Sequence, residues 1–377
     1  VLKAGHFQEL APPYFVTLPV QTFFPILKTS HQKPTRSLLL QGGITLALGA
    51  SLFLSSCKKE PEPVPSPSGT PTQPALQPKP VPQFNAQAAL EHAARQVSFG
   101  PRIPNTPAHD SAVAYFRSIL SPLTSAVQFQ DFIGNDYNGG QVRFTNVLAS
   151  FNPEATDRIL LLAHWDSKPW AEEDPNQANK NKPIPAANDG ASGVGILLEL
   201  AKIFKDNPPP IGVDLLLDDG EDYGKFEKDQ LDRYFLGVKH FVQTKPPTYQ
   251  PRVAILLDMV GDRNAEFKME GNSVANAPSF TNFIWETAEN MGLSKFKKVV
   301  GADISDDHIP LIQAGIKSVD IIDADLVGHN SPDPKRKYWH TMDDTMENLS
   351  TETMDQVGRL LLDLIYDKFP RNIRTLQ

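Results

Sequence analysis

The 377 residues contain a single cysteine, Cys57, so neither an internal disulfide nor a Cys-rich zinc or iron–sulfur module can form. Positive charge is also scarce: 36 Lys and Arg against 44 Asp and Glu leave a formal charge of −8. That balance provides no basic stripe to neutralise phosphates, which excludes nucleic acid as a partner. Long apolar runs are missing except at residues 37–56, an uncharged and mainly apolar stretch. Elsewhere the hydrophobic residues, 40% of the chain, come in short pieces sufficient for one large core.

The exceptional run follows Lys33 and Arg36 and ends Leu54-Ser55-Ser56-Cys57. A basic flank, an apolar stretch and small residues before a cysteine resemble a bacterial lipoprotein signal, in which the cysteine carries lipid and becomes the mature N-terminus. A single transmembrane anchor is the alternative, because the run is almost long enough to span a bilayer. Residues 1–57 are therefore expected to be an N-terminal extension and lipoprotein signal peptide (or anchor), with Cys57 as the lipidation site. The membrane would be a partner through that lipid. The protein would then belong to a bacterial cell envelope, facing the periplasm or the outside. Charge changes at the same boundary: residues 1–57 carry +3, leaving −11 for residues 58–377. Nine prolines between Pro61 and Pro82 make residues 58–82 an extended spacer. The folded catalytic domain is expected over residues 83–377.

Within that domain, helical spacing predicts helices over residues 86–97 and 106–120, the second opened by Pro107. Residues 127–132 and 143–149 predict a strand pair turning at Asn138-Gly139-Gly140. Residues 159–163, 213–217, 253–257 and 319–322 are short, nearly unbroken apolar runs, as strands buried on both faces should be. Val194, Leu197, Leu198, Ala201 and Phe204 recur at helical spacing, and residues 279–291, 308–314 and a segment after Ser350 are further helices. Such alternation implies an α/β fold with three αβα layers and a central mixed, mostly parallel sheet.

Acids stand where the strands end. The first parallel run leads into His164-Trp165-Asp166, the second into Asp218-Asp219-Gly220-Glu221-Asp222, and the third into Asp258. A small-residue loop carrying Asp189 opens the helix between the first two. In open α/β sheets ligands bind beyond the carboxyl ends of the strands. Carboxylates crowded there repel one another unless a cation neutralises them. Asp and Glu oxygens with one or two imidazoles, among them His340, suit zinc in a catalytic site.

The segments HWDSK, NDGASG, DGED, LLDMVGD, SDDHIPL and YWHTMDD occur in this order between His164 and Asp344. Together they resemble the zinc-aminopeptidase superfamily, the M28 class of peptidases. The doubled acid Asp306-Asp307 and Trp339 directly before His340 resemble the bacterial-type glutaminyl-peptide cyclotransferases within it. The resemblance implies a zinc-aminopeptidase-like (phosphorylase/hydrolase-like) fold and a zinc-dependent cyclisation of N-terminal glutaminyl residues to pyroglutamate with release of ammonia. It implies Asp189, Asp222 and His340 as zinc ligands, Glu221 as general acid/base, and Asp258 and Asp306 as an acid network beside it. Crowding by those two acids is expected to raise the pKa of Glu221. His164 and Asp258 match second-metal positions of two-metal relatives. Trp165, Trp339, Asp307 and His308 are expected at the substrate pocket.

One zinc per chain is implied, or two if the protein is an aminopeptidase hydrolysing N-terminal residues, which is the alternative activity. A catalytically dead binding ectodomain is a remote third reading that predicts an eroded ligand, and none is eroded. Substrates would be peptides or exported proteins with N-terminal Gln, handled by a monomer. Two departures stand out. Asp222 occupies a position where animal members carry Glu, and Lys335-Arg336-Lys337 replaces apolar pocket residues, which leaves the pocket rim open to question.

Overall fold

A computed structural model of the chain describes residues 76–135, 139–224 and 233–376, all within the unit Thr70–Gln377. The expected signal, Cys57 and most of the spacer lie outside these residues. Helix α1 (Ala86–Val97) starts where the Asn85 side chain accepts a hydrogen bond from the Ala88 N–H, and α2 (Pro107–Leu120) starts at Thr106 with proline in its first turn. Strands β1 (Val127–Asn135) and β2 (Gln141–Phe151) pair antiparallel along their full lengths. Then come β3 (Arg158–His164), α3 (Ala191–Asp206), β4 (Gly212–Asp218), α4 (Leu236–Thr244) and β5 (Ala254–Asp258). A short parallel pair, β6 (Phe267–Met269) and β7 (Phe296–Val300), encloses α5 (Gly271–Asn276) and α6 (Pro278–Asn290). There follow α7 (His308–Gln313), β8 (Ser318–Ile322), α8 (Thr351–Asp363), capped by Ser350, and a short α9 (Phe369–Asn372).

The main sheet has the order β1-β2-β4-β3-β5-β8, antiparallel from β1 to β4 and parallel from β4 to β8. Side-chain alternation divides its core in two. Leu161, Ala163, Leu215, Leu217, Ile255 and Leu257 join the core built with α3, α6 and α8. Leu160, Leu162, Leu216 and Leu256 join a second core with Val238 and Phe241 of α4 and Leu311 of α7. The period of two along each strand thus places helices on both faces, giving the three layers.

Sequence patterning misses α4, α5 and the β6–β7 pair. Helix α4 has no capping side chain; it begins at Phe235 in a left-handed conformation, φ 61°. Strand β6 is three residues long, and β7 carries two lysines in five positions. The proline-rich stretch also does not stay clear of the domain up to Pro82. Leu76 packs on the larger core, and Lys79 donates from its backbone N–H to the Tyr366 carbonyl at 2.8 Å.

Candidate metal centre and active site

Strand β3 lies at the centre of the parallel sheet, with β4 on one side and β5 on the other, so the chain order reverses around it. The crevice such a reversal opens beyond the strand ends receives side chains from five segments. His164 closes β3, Asp258 closes β5, Glu221 and Asp222 follow β4, Asp189 precedes α3, and His340 precedes α8. His340 Nε2 lies 3.3 Å from Asp222 Oδ1 and 3.6 Å from Asp189 Oδ2. His164 Nε2 lies 3.1 Å from Asp189 Oδ1 and 3.4 Å from Asp258 Oδ1. Three groups bring their donor atoms within 4.8 Å of one another: Asp189, Asp222 and His340; His164, Asp189 and Asp258; and His164, Glu221 and Asp222. Asp189 therefore stands between two candidate ion positions.

These residues fit a divalent metal. The first group is almost wholly buried and pairs two carboxylates with an imidazole, a donor set suited to zinc. Among the described residues, Asp222 Oδ2 is buried without a hydrogen-bond partner and Asp258 Oδ1 has only the His164 ring at 3.4 Å, a costly arrangement that a cation would relieve.

Each donor is oriented by a further group. Glu172 Oε1 sits 3.0 Å from His340 Nδ1, leaving Nε2 to face the acids. Asp166 does the same for His164 Nδ1 at 3.4 Å and accepts the backbone N–H groups of Glu221 and Asp222 at 3.1 and 3.2 Å. Asp344 accepts the N–H groups of Asn188 and Asp189 at 2.9 and 3.2 Å. The buried Lys168 ammonium reaches Asp222 Oδ1 at 3.3 Å and Glu172 Oε1 at 3.4 Å, and donates to the Tyr234 hydroxyl at 3.1 Å. Arg102, also buried, donates to the carbonyls of Trp165 and Ala186 at 2.8 and 2.7 Å, stitching the HWDSK segment to the loop before Asp189. Asp166, Lys168 and Asp344 lie inside the sequence motifs but carried no assigned role. Glu172 had no signal at all.

The electrostatics follow from this packing. Burial pushes the Glu221 carboxyl well above its ordinary range, with Asp222 as the next cause and Asp306 a further one. Of the two acids expected to crowd it, Asp306 is among the causes and Asp258 is not among the leading ones; burial and the neighbouring ligand matter more. Burial acts to raise Asp222 too, but Lys168 and His340 outweigh it and hold that carboxylate well below the usual range. Burial lowers His340, while Asp222 and Glu172 more than compensate and lift it to about 9.

A cavity of about 270 Å³ opens over these groups. Asp189, Glu221, Asp222, Asp258, Asp306 and His340 form its acidic part, and Tyr234, Phe235, Met259, Ile304, Ile322, Val327 and Trp339 its aromatic and aliphatic wall. Trp339 stacks on the His340 ring with centroids 3.7 Å apart. Phe235, Met259 and His340 all hold left-handed backbone (φ 61°, 48° and 53°), a strained state that clusters at functional sites.

Three expected pocket residues are not among those lining the cavity. Trp165 is wholly buried, 4.4 Å from the His109 ring and edge-on to Phe116, and donates from Nε1 to the Thr145 carbonyl. It follows His164 in extended backbone, so its side chain turns to the opposite face. Asp307 is wholly buried, where burial and the Asp218 carboxylate raise its pKa well above the usual range. His308 sits between Glu270 Oε2 at 3.3 Å and Asp320 Oδ2 at 3.8 Å. Nor does Arg336 bear on the rim: it is buried and paired with Asp262 and Asp323.

The family model for peptidase family M28 matches residues 146–365. The solved glutaminyl cyclase of Tannerella forsythia is 40% identical, with a TM-score of 0.72 over 76% of this chain and 99% of that one. A solved Zn-dependent exopeptidase from Parabacteroides distasonis ATCC 8503 is 39% identical, with a TM-score of 0.72 and the same coverage of both chains. The glutaminyl-peptide cyclotransferase of Bos taurus is 27% identical over 266 residues, 59% of this chain and 65% of its own length. The chain spans less than two thirds of the length of the curated relatives it matches first.

Proposed function

The chain belongs to peptidase family M28, and on that premise we propose that it is a zinc-dependent glutaminyl-peptide cyclotransferase acting on peptides or proteins with N-terminal Gln. The observation that carries this reading is the 40% identity with a solved glutaminyl cyclase over 99% of that chain. The wall of Trp339, Ile304, Ile322 and Val327 supports it, since an uncharged amide side chain suits an aromatic and aliphatic slot that excludes water.

One zinc ion is proposed on Asp189, Asp222 and His340. When bound, zinc supplies a Lewis acid beside the side-chain amide carbonyl of the substrate. The chain's own residues do the rest. The attack joins two groups of one residue and is intramolecular from the start; enclosure in the cavity favours the conformer that aims the α-amine at the γ-carbonyl carbon. As the new C–N bond forms, the Glu221 carboxylate accepts a proton from the amine nitrogen. It returns that proton to the departing amide nitrogen as the old C–N bond breaks and ammonia leaves. A carboxyl whose pKa is lifted by burial toward the working pH can act in both directions. Asp258 and Asp306, which line the same cavity, hold the amine in place.

Aminopeptidase activity is the second reading. It is favoured by the donor group His164, Asp189 and Asp258, which could take another ion beside the first. Incubating the full chain with a Gln-initiated peptide and with leucine 4-nitroanilide separates the two. Ammonia from the peptide with one bound zinc is expected. Nitroaniline without ammonia, with two bound zinc ions, would reject the cyclase.

The proposed location is a bacterial envelope, with Cys57 as a lipid anchor. Cys57→Ser should move the protein from the membrane to the soluble fraction, and retention in the membrane would refute lipidation.

A further inference from the structure

Among the described residues that line the cavity, only Asp303 and Ser305 are exposed. Both lie on the segment between β7 and α7, so that segment forms the mouth. A peptide whose first residue reacts among the buried acids can leave over it, which brings its second residue past Asp303. Among the described residues, the Asp303 carboxylate has no hydrogen-bond or ion-pair partner and no Lys or Arg lines the cavity.

The backbone that carries the carboxylate is nevertheless anchored. The Gly271 N–H donates to the Ala302 carbonyl at 3.0 Å, and the Ile304 N–H donates to Glu270 Oε1 at 2.8 Å. Asn272 Nδ2 donates to the Ile304 carbonyl at 2.8 Å. Backbone on either side of Asp303 is thus tied to the start of α5. Glu270 is itself buried and accepts both the N–H and the hydroxyl of Ser273 at 2.7 Å. The side chain of Asp303 lies across Gly271, where a Cβ would come within 1.7 Å of Oδ1. Any other residue at position 271 would displace the carboxylate.

We propose that Asp303 is a specificity-determining residue that favours substrates with Lys or Arg directly after the N-terminal glutamine. The proposal rests on the cyclase reading above. An unpaired carboxylate carried at the mouth on anchored backbone attracts a passing ammonium or guanidinium and repels a carboxylate.

The test compares ammonia release by the full chain from Gln-Lys-Ala, Gln-Ala-Ala and Gln-Glu-Ala amides at low ionic strength. An exposed ion pair predicts a Lys-over-Glu preference in kcat/KM of about 2- to 10-fold, carried mainly by KM. That preference should shrink in about 0.5 M salt. Asp303→Asn should bring the ratio toward unity, and Asp303→Lys should invert it. If the ratio is the same in both variants as in the parent, the proposal is overturned, while turnover of Gln-Ala-Ala shows the cyclase intact. If the parent releases no ammonia from any of the three peptides, the cyclase reading fails and takes this proposal with it.

Discussion

Replacing Glu221 by glutamine removes a titratable carboxyl and keeps its size, and the surroundings dictate what should follow. The loop that carries Glu221 is anchored through its backbone: the N–H groups of Glu221 and Asp222 both donate to Asp166. The side-chain change therefore leaves Asp222, Asp189 and His340 in place. It also removes a neighbour whose charge is disfavoured by burial and by Asp222, so the folded protein should not lose stability. What disappears is the proton carrier. Positioned acid–base groups contribute about 10²–10⁴ in rate, so the barrier should rise by about 2.7–5.4 kcal/mol. Coupled measurement of ammonia from a Gln peptide gives kcat, and elemental analysis of the same sample gives zinc. Turnover should fall by at least 100-fold or so while zinc stays at its parent level. A variant that kept more than about a tenth of its kcat would place proton transfer elsewhere. Loss of zinc would instead put the ion on His164, Glu221 and Asp222, the donor group that contains the substituted side chain.

Glu172→Ala should free the His340 ring and weaken zinc binding by about 10- to 100-fold, read by chelator competition; unchanged affinity would deny Glu172 an orienting role. The acid limb of kcat/KM reports Glu221, which must be ionised to accept a proton. Because its pKa is raised, the carboxylate form is lost at a higher pH than for an ordinary glutamate, so kcat/KM should fall with decreasing pH before an ordinary glutamate would titrate. The substrate amine, with a pKa of about 7.7–8.0, works in the same direction, and a flat profile between about pH 5 and pH 8 would contradict both assignments. The two motif tryptophans should part company. Trp165→Ala should cost about 3–5 kcal/mol in urea unfolding, whereas Trp339→Ala should raise KM with a much smaller change in stability. Equal effects of the two on stability would mean that Trp339 belongs to the core.

The parallel strands were legible because each is buried on both faces and so reads as an unbroken apolar run. The acids that end them stood out for the same reason, since a strand that stops at a carboxylate stops at the rim. Adjacency in a motif misled where direction mattered. His164 and Trp165 are neighbours in sequence but face opposite sides of extended backbone, and Asp306 lines the cavity while Asp307 turns away from it. Glu172 was invisible for a different cause. It sits in a loop without periodicity, and its contact with His340 joins residues 168 positions apart. No local pattern can encode that distance.

The match to the family model begins at residue 146, but the working unit begins earlier. Arg102 lies outside the matched span, yet its guanidinium and N–H hold Trp165, Ser167 and Ala186, the residues flanking His164 and leading to Asp189. His109 meets Asp219 at 2.7 Å, one position short of the glycine before Glu221. A fragment cut to the recognisable span would leave those carbonyls and that buried carboxylate without their donors. The boundary that matters for expression, grafting or recombination between relatives is therefore set by Arg102, between α1 and α2, and by His109 of α2, and a recombinant that inherits the motifs without them inherits an unsupported site.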